Sequence, residues 1–338
     1  MTRLKWLRVT ALLCGTAGFA SAQSYRLAGS IPIGGTGGWD YLTADAKGDR
    51  LYVSHTSVVE VIDLGAEKPL SKITGMNRIH GIALAEDLGL GFISDGGANE
   101  VVVFDIASLQ VKNRVKAGTN PDGILYDPFT KRVFAFNGRS QDATVIDGAS
   151  GKVVGTIALG GKPEFPTSDA KGYVYDNIED KNEIVKIDAK KMTVEAHWSV
   201  APCDSPSGMA IDRAHNVLFS VCDGKVMAVV DASSRKVIAT PAIGEGPDAA
   251  AYDPETELSF SSNGEGTLTV VKRQGNNYVV AQTVQTQRGS RTMALNPSSH
   301  KIYLAAADFD PAPAATAQNP RPRPQIKPGS FRILVVAP

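Results

Sequence analysis

An all-β, seven-bladed propeller is the fold this sequence predicts, on three observations. Val61-Ile62-Asp63, Val103-Phe104-Asp105, Val145-Ile146-Asp147, Lys186-Ile187-Asp188, Val229-Val230-Asp231 and Val270-Val271-Lys272 recur at intervals of 42, 42, 41, 43 and 41 residues. A seventh copy, Leu334-Val335-Val336, follows after an interruption. Each interval divides into short apolar runs separated by turn residues. A period near forty with several strands per unit is that of a propeller blade.

In chain order, residues 1–22 read as a targeting segment. Arg3, Lys5 and Arg8 form a basic start, residues 9–19 a short apolar stretch, and Ala20-Ser21-Ala22 a small-x-small cleavage pattern, with the cut after Ala22. The apolar stretch is too short to span a bilayer. Leu13 before Cys14 is too large for a lipid-attachment site. The expected location is therefore the periplasm or the medium.

Residues 23–338 are expected to form one domain. Residues 25–33, ended by Gly34-Gly35, look like the close of a repeat whose beginning lies elsewhere. Blade 7 ends at Pro338 one strand short, so the N-terminal strand is predicted to complete it and close the ring. Blade 1 reads as 41–43, 51–54 and 59–62; blade 2 as 81–84, 90–94 and 100–104. Blade 3 is the clearest: strand 123–126, a turn at Asp127-Pro128-Phe129-Thr130, then strands 132–136, 143–146 and 152–159. Blade 4 opens irregularly with Lys162-Pro163-Glu164-Phe165-Pro166. Blades 5 and 6 repeat the grammar from Gly208 and Ala249. Gly81, Gly123, Gly208 and Ala249 open innermost strands, where converging backbones leave little room for a side chain. Blade 7 carries a proline-rich insert, 308–329, with Pro311, Pro313, Pro320, Pro322, Pro324 and Pro328, expected to be extended and stiff.

The stretches Ile-Pro-Ile-Gly-Gly at 31–35, Leu-Tyr-Val-Ser at 51–54 and Val-Ile-Asp at 61–63 resemble the YVTN-type β-propeller repeat family of bacterial exported proteins. The resemblance covers nearly all of 23–338. It implies a propeller and export, and says almost nothing about function.

Loss of the leader leaves Cys203 and Cys222, which flank the first hairpin of blade 5. In an oxidising compartment they are expected to pair, stabilising by roughly 3 kcal/mol in the chain-entropy model. It also removes three basic residues from a balanced 35 basic and 35 acidic, so the remaining chain is mildly acidic. That argues against a nucleic-acid partner, which demands a basic face.

The position just before each first strand yields a ring: Asp40, His80, Asp122, Glu164, Ser207, Asp248 and Arg291. Converging on the channel mouth, these make a candidate polar binding site; solvated groups at a wet opening are the plainer reading. His80 is the candidate catalytic base. His55 and His80, with Asp122 and Glu164 or with Asp40, are candidate ligands for zinc or copper, although no local spacing supports the set. Asp122, Glu164, Asn137 and Asn177 are the oxygen-ligand alternative for calcium, reminiscent of gluconolactonase-type propellers without carrying their motifs. His197, His215 and His300 are assigned no chemistry. No haem or nucleotide motif is present. The expected protein is a monomer that binds a small molecule or protein partner through the channel-mouth face. A metal-assisted, lactonase-like hydrolase or lyase is the alternative, and a redox-complex partner has no motif in its favour.

Overall fold

The computed structural model describes residues 24–47, 49–314 and 324–338. The expected targeting segment, 1–22, and the middle of the proline-rich insert lie outside these residues. Among the described residues the strands form seven antiparallel four-stranded sheets arranged as a ring, a seven-bladed β-propeller. The only helical pieces among the described residues are two 3-10 turns, Glu86–Leu88 and Glu179–Lys181.

Successive residues on a strand face opposite sides of the sheet, and here both sides are buried against other blades. On Arg50–His55, Leu51 and Val53 pack toward blade 7 while Tyr52 packs toward blade 2. Seven apolar clusters result, one in each gap between neighbouring blades. The repeated Val-x-Asp is explained by this arrangement. Its apolar pair fills two gaps, and its aspartate accepts the backbone N–H of a residue two or three further on, closing the turn to the outer strand. Asp63, Asp105, Asp147, Asp188 and Asp231 all do so. Blade 6 has Lys272 instead, and its two outer strands, Thr267–Gln274 and Asn277–Gln285, meet in a tight hairpin at Gly275.

The ring closes as the strand count predicts. Arg26–Pro32 pairs antiparallel with Arg332–Ala337, from Arg26 opposite Ala337 to Pro32 opposite Arg332. This makes it the outer strand of blade 7. Tyr25, 1% exposed, fastens the seam to blade 6. Its backbone N–H donates to Gln282 Oε1 at 2.9 Å, and Gln282 Nε2 donates back to the Tyr25 carbonyl at 2.6 Å. Its ring meets Phe260 edge-on at 5.1 Å.

The described ends of the insert form a short stem. Phe309 bridges Ile326, the Asp310 N–H donates to the Gln325 carbonyl, and the Lys327 N–H donates to the Asp308 carbonyl. The Phe309 ring lies 6.3 Å from Trp39, which stacks on Phe331 at 5.4 Å. The stem therefore rises beside the first strand of blade 1.

Candidate functional site at the channel mouth

The ring residues lie within the innermost strands, not before them. Asp40, His80, Asp122, Glu164, Ser207 and Asp248 are the second residues of Trp39–Ala44, Ile79–Ala85, Pro121–Asp127, Pro163–Ser168, Pro206–Asp212 and Pro247–Asp253. In each of these strands the register slips just after the first pair, so the ring residue occupies an irregular step in the ladder. Such a step bends the strand and re-aims its side chain. In blade 7 the strand is shorter, Met293–Leu295, and Arg291 precedes it.

A neighbouring blade pins several of these backbones. The Ser54 hydroxyl donates to the His80 carbonyl, Ser94 to Asp122 at 2.5 Å, Asn177 Nδ2 to Ser207 at 2.7 Å, and Ser262 to Arg291. All seven ring residues line one cavity of about 440 Å³, together with Trp39, Tyr41, Lys162, Phe165, Glu179 and Asp223.

Aromatic rings close the bottom of this cavity. Gly81, Gly123 and Gly208 follow the ring residue in their blades, and a Cβ on any of them would strike the adjacent blade at 2.4–2.8 Å. Tyr41 and Phe165 occupy the same position in blades 1 and 4, which are not neighbours. Their rings stack at 5.0 Å and 25°, so the contact spans the central channel. The Tyr41 hydroxyl donates to the Glu164 carbonyl at 3.1 Å. Burial, and then the surrounding acids, hold Tyr41 far above the usual phenol range, so it stays a donor.

The electrostatics are those of crowded acids. Asp248 is pushed up to about 7 by burial, against Arg291 at 3.6 Å and with Asp40, Asp122 and Asp223 adding to the rise. Burial also raises Asp122, and burial followed by the Asp122 charge raises Glu164. Glu164 keeps Lys162 within 2.5 Å, and Lys162 also pairs with Glu179. His80 Nδ1 lies 2.6 Å from Asp40 Oδ2 and 3.6 Å from Asp122 Oδ1. Burial works against its charge, but the Asp40 bond and the Asp122 field outweigh that and raise its pKa.

Asp40, His80 and Asp122 are the candidate metal group among the described residues, with ligand atoms mutually within 4.8 Å. The structure does not bring His55 to them. Ser54 faces blade 2, so the next side chain faces blade 7. There the His55 ring lies 4.3 Å from the Phe331 ring, and its Nδ1 sits 3.3 Å from Glu60 Oε1. Asn137 and Asn177 do not line the cavity either. Asn137 Nδ2 bonds Asp142 and Thr144, and Asn177 spans to blade 5. Cys203 and Cys222 are disulfide-bonded, with Cα atoms 5.4 Å apart. His197, His215 and His300 pair with Glu183, Asp212 and Asp253 away from the cavity.

Sequence reasoning missed Tyr41, Phe165, Lys162 and Asp223 as lining residues. For the aromatic pair a signal existed: they stand where the other blades carry only small residues, Gly81, Gly123, Gly208, Ala249 and Thr292. It also missed Asp176, which is 0% exposed with neither carboxyl oxygen in a well-formed hydrogen bond. Burial, then the Glu164 charge, holds Asp176 well above the usual carboxylate range. The corresponding residues of the other blades are Val53, Ile93, Ala135, Ser220, Ser261 and Leu304.

No protein-family model matches the chain, and no curated protein matches it significantly. Solved structures do. A chain of the Kuenenia stuttgartiensis hydrazine synthase superposes with a TM-score of 0.68 at 15% identity, covering 85% of this chain and 96% of that one. U3-55K superposes with a TM-score of 0.74 at 10% identity, covering 93% of this chain and 98% of that one. At these identities the likeness is one of fold.

Proposed function

We propose that this protein is an exported binding propeller whose channel mouth takes a small, positively charged ligand. One observation carries the reading. The acids of the ring, joined by Glu179 and Asp223, face one cavity to which the described residues bring only Lys162, Arg291 and the His80 imidazole in return. Burial and mutual repulsion then resist ionisation of Asp122, Glu164 and Asp248. A bound cation relieves that repulsion. Trp39, Tyr41 and Phe165 add aromatic faces, which attract an organic ammonium as the carboxylates do.

The disulfide accords with export. The YVTN-type resemblance accords with it too, and rests on the residues quoted above. The hydrolase or lyase alternative asks His80 to act as a free base. Its Nδ1 is engaged by Asp40, and its Nε2 is buried against Gly96. Neither nitrogen is open to a substrate proton in this arrangement, so binding is the favoured reading.

Trp39 lines the mouth and is a natural reporter. Tetramethylammonium and spermidine should change tryptophan fluorescence and raise the melting temperature, while inorganic phosphate and acetate should not. Preferential binding of the anions would put the reading aside.

A further inference from the structure

We propose that Asp40, His80 and Asp122 form a divalent transition-metal site of the zinc class, an inference that rests on the channel mouth being the binding face. Three consecutive blades each supply one ligand, and each ligand stands on a strand rather than a loop. Two donors about 2.0–2.1 Å from a tetrahedral metal lie roughly 3.3 Å apart. His80 Nδ1 brackets that spacing, at 2.6 Å from Asp40 Oδ2 and 3.6 Å from Asp122 Oδ1. A metal taking the place of the Nδ1 proton needs only a small opening of the first pair.

The far edge of the imidazole is the second, independent observation. His80 is 6% exposed, and its buried Nε2 has no hydrogen-bond partner. The edge abuts Gly96, where a Cβ would lie 2.8 Å from Nε2 and 3.1 Å from Asn120 Oδ1. Glycine thus lets the ring edge pack directly against the Gly96 backbone, next to the Asn120 amide oxygen, and any side chain there would push the imidazole out of place. A ring protonated at Nε2 presents a bare Nδ1 to the metal. The backbone behind the ligands is held as well, since Ser54 bonds the His80 carbonyl and Ser94 the Asp122 carbonyl.

One imidazole nitrogen and two carboxylates suit zinc and its first-row neighbours. Calcium wants six to eight oxygens, more than this corner supplies. Three protein ligands leave a fourth position facing the cavity, where water or a ligand's oxygen can enter.

The test is metal analysis and calorimetry on full-length mature protein, stripped with chelator and titrated with zinc and, separately, calcium. One zinc per chain is expected, with calcium at least tenfold weaker. Zinc should be lost in His80→Gln and Asp122→Asn and kept in Glu255→Gln, a change on the opposite face. Asp40→Asn covers the case in which the buried His80 variant fails to fold. Gly96→Ala, which crowds Nε2 without removing a ligand, should weaken zinc at least tenfold. Cobalt should give the absorption bands of a low-coordinate site. Undiminished zinc stoichiometry in both Asp40→Asn and Asp122→Asn overturns the proposal. So does an absence of zinc in a wild-type protein that still binds tetramethylammonium; the mouth reading then survives. If wild type binds neither, both readings fall.

Discussion

Tyr41 and Phe165, from blades 1 and 4, stack across the central channel at 5.0 Å, and the Tyr41 hydroxyl bonds the Glu164 carbonyl beside its partner ring. The propeller is therefore plugged, and its mouth is a cup rather than a tunnel. The plug also links two non-adjacent blades, so it braces the ring while forming the floor of the candidate site.

Separating those two roles is straightforward. Tyr41→Phe keeps the stack and loses only the bond to Glu164, so it should cost about 1 kcal/mol in urea unfolding. Tyr41→Ala removes the plug and should cost about 2–4 kcal/mol, with weakened cation binding at the mouth. Equal losses in the two variants would mean that the hydrogen bond, not the stack, does the bracing.

Cation binding should depend on Asp248. Its folded pKa of about 7 exceeds the unfolded value of about 3.9. The native state thus holds the extra proton between those values, and stability falls as pH rises from about 4 to about 7. Ligand affinity runs the other way, because the ionised carboxylate attracts the cation. Tetramethylammonium affinity should rise up to about tenfold between pH 5.5 and 8, and Asp248→Asn should flatten much of that rise. Calorimetry at several pH values checks it, and an affinity that fell with pH would contradict the acid-driven reading.

Asp176 should be a net liability above neutral pH. Its folded pKa is raised, so its contribution favours the native state at low pH and is lost as pH climbs. Asp176→Asn should leave the fold intact and stabilise by about 1–3 kcal/mol at pH 8, with little gain at pH 4. Matched denaturant curves at the two pH values decide this; a destabilised variant at pH 8 would point to a role for the charge.

The seam predicts its own weak point. Removing residues 23–33 deletes the outer strand of blade 7 and the Tyr25–Gln282 fastening. The exposed edge should drive aggregation or a large drop in melting temperature. Gln282→Ala, which keeps the strand, should cost about 1–2 kcal/mol. A truncated protein that melts like the full chain would show that closure contributes nothing.

Local pattern carried much of this molecule. Val-Ile-Asp at a period near forty encodes blade number, because nearly every blade presents apolar side chains to both neighbours there and five blades cap the following turn with the aspartate. The missing strand after Leu334-Val335-Val336 and the surplus one at 25–33 encode the closure, since a four-stranded blade cannot stop at three. The alignment that set blade boundaries also collected the seven ring positions, because repeats superpose by rotation about one axis. The cysteine pair followed from hairpin geometry and the expectation of export.

Tertiary structure decided what repeats cannot encode. Whether His55 or His80 joins the acids depends on which face of its strand each occupies, and a one-residue offset sends His55 into the blade 7 interface. The plug required knowing that two large side chains, at positions where the other blades carry small residues, lie in blades across the axis from each other. The raised Asp122, Glu164 and Asp248 carboxyls arise only when strands far apart in sequence bring like charges into one partly dry cup. The sequence alone determined the ring, its closure and which positions meet at its mouth, through periodic local patterning. Contact across the axis decided the depth, floor and charge of the site, because those depend on distances between blades that no single repeat contains.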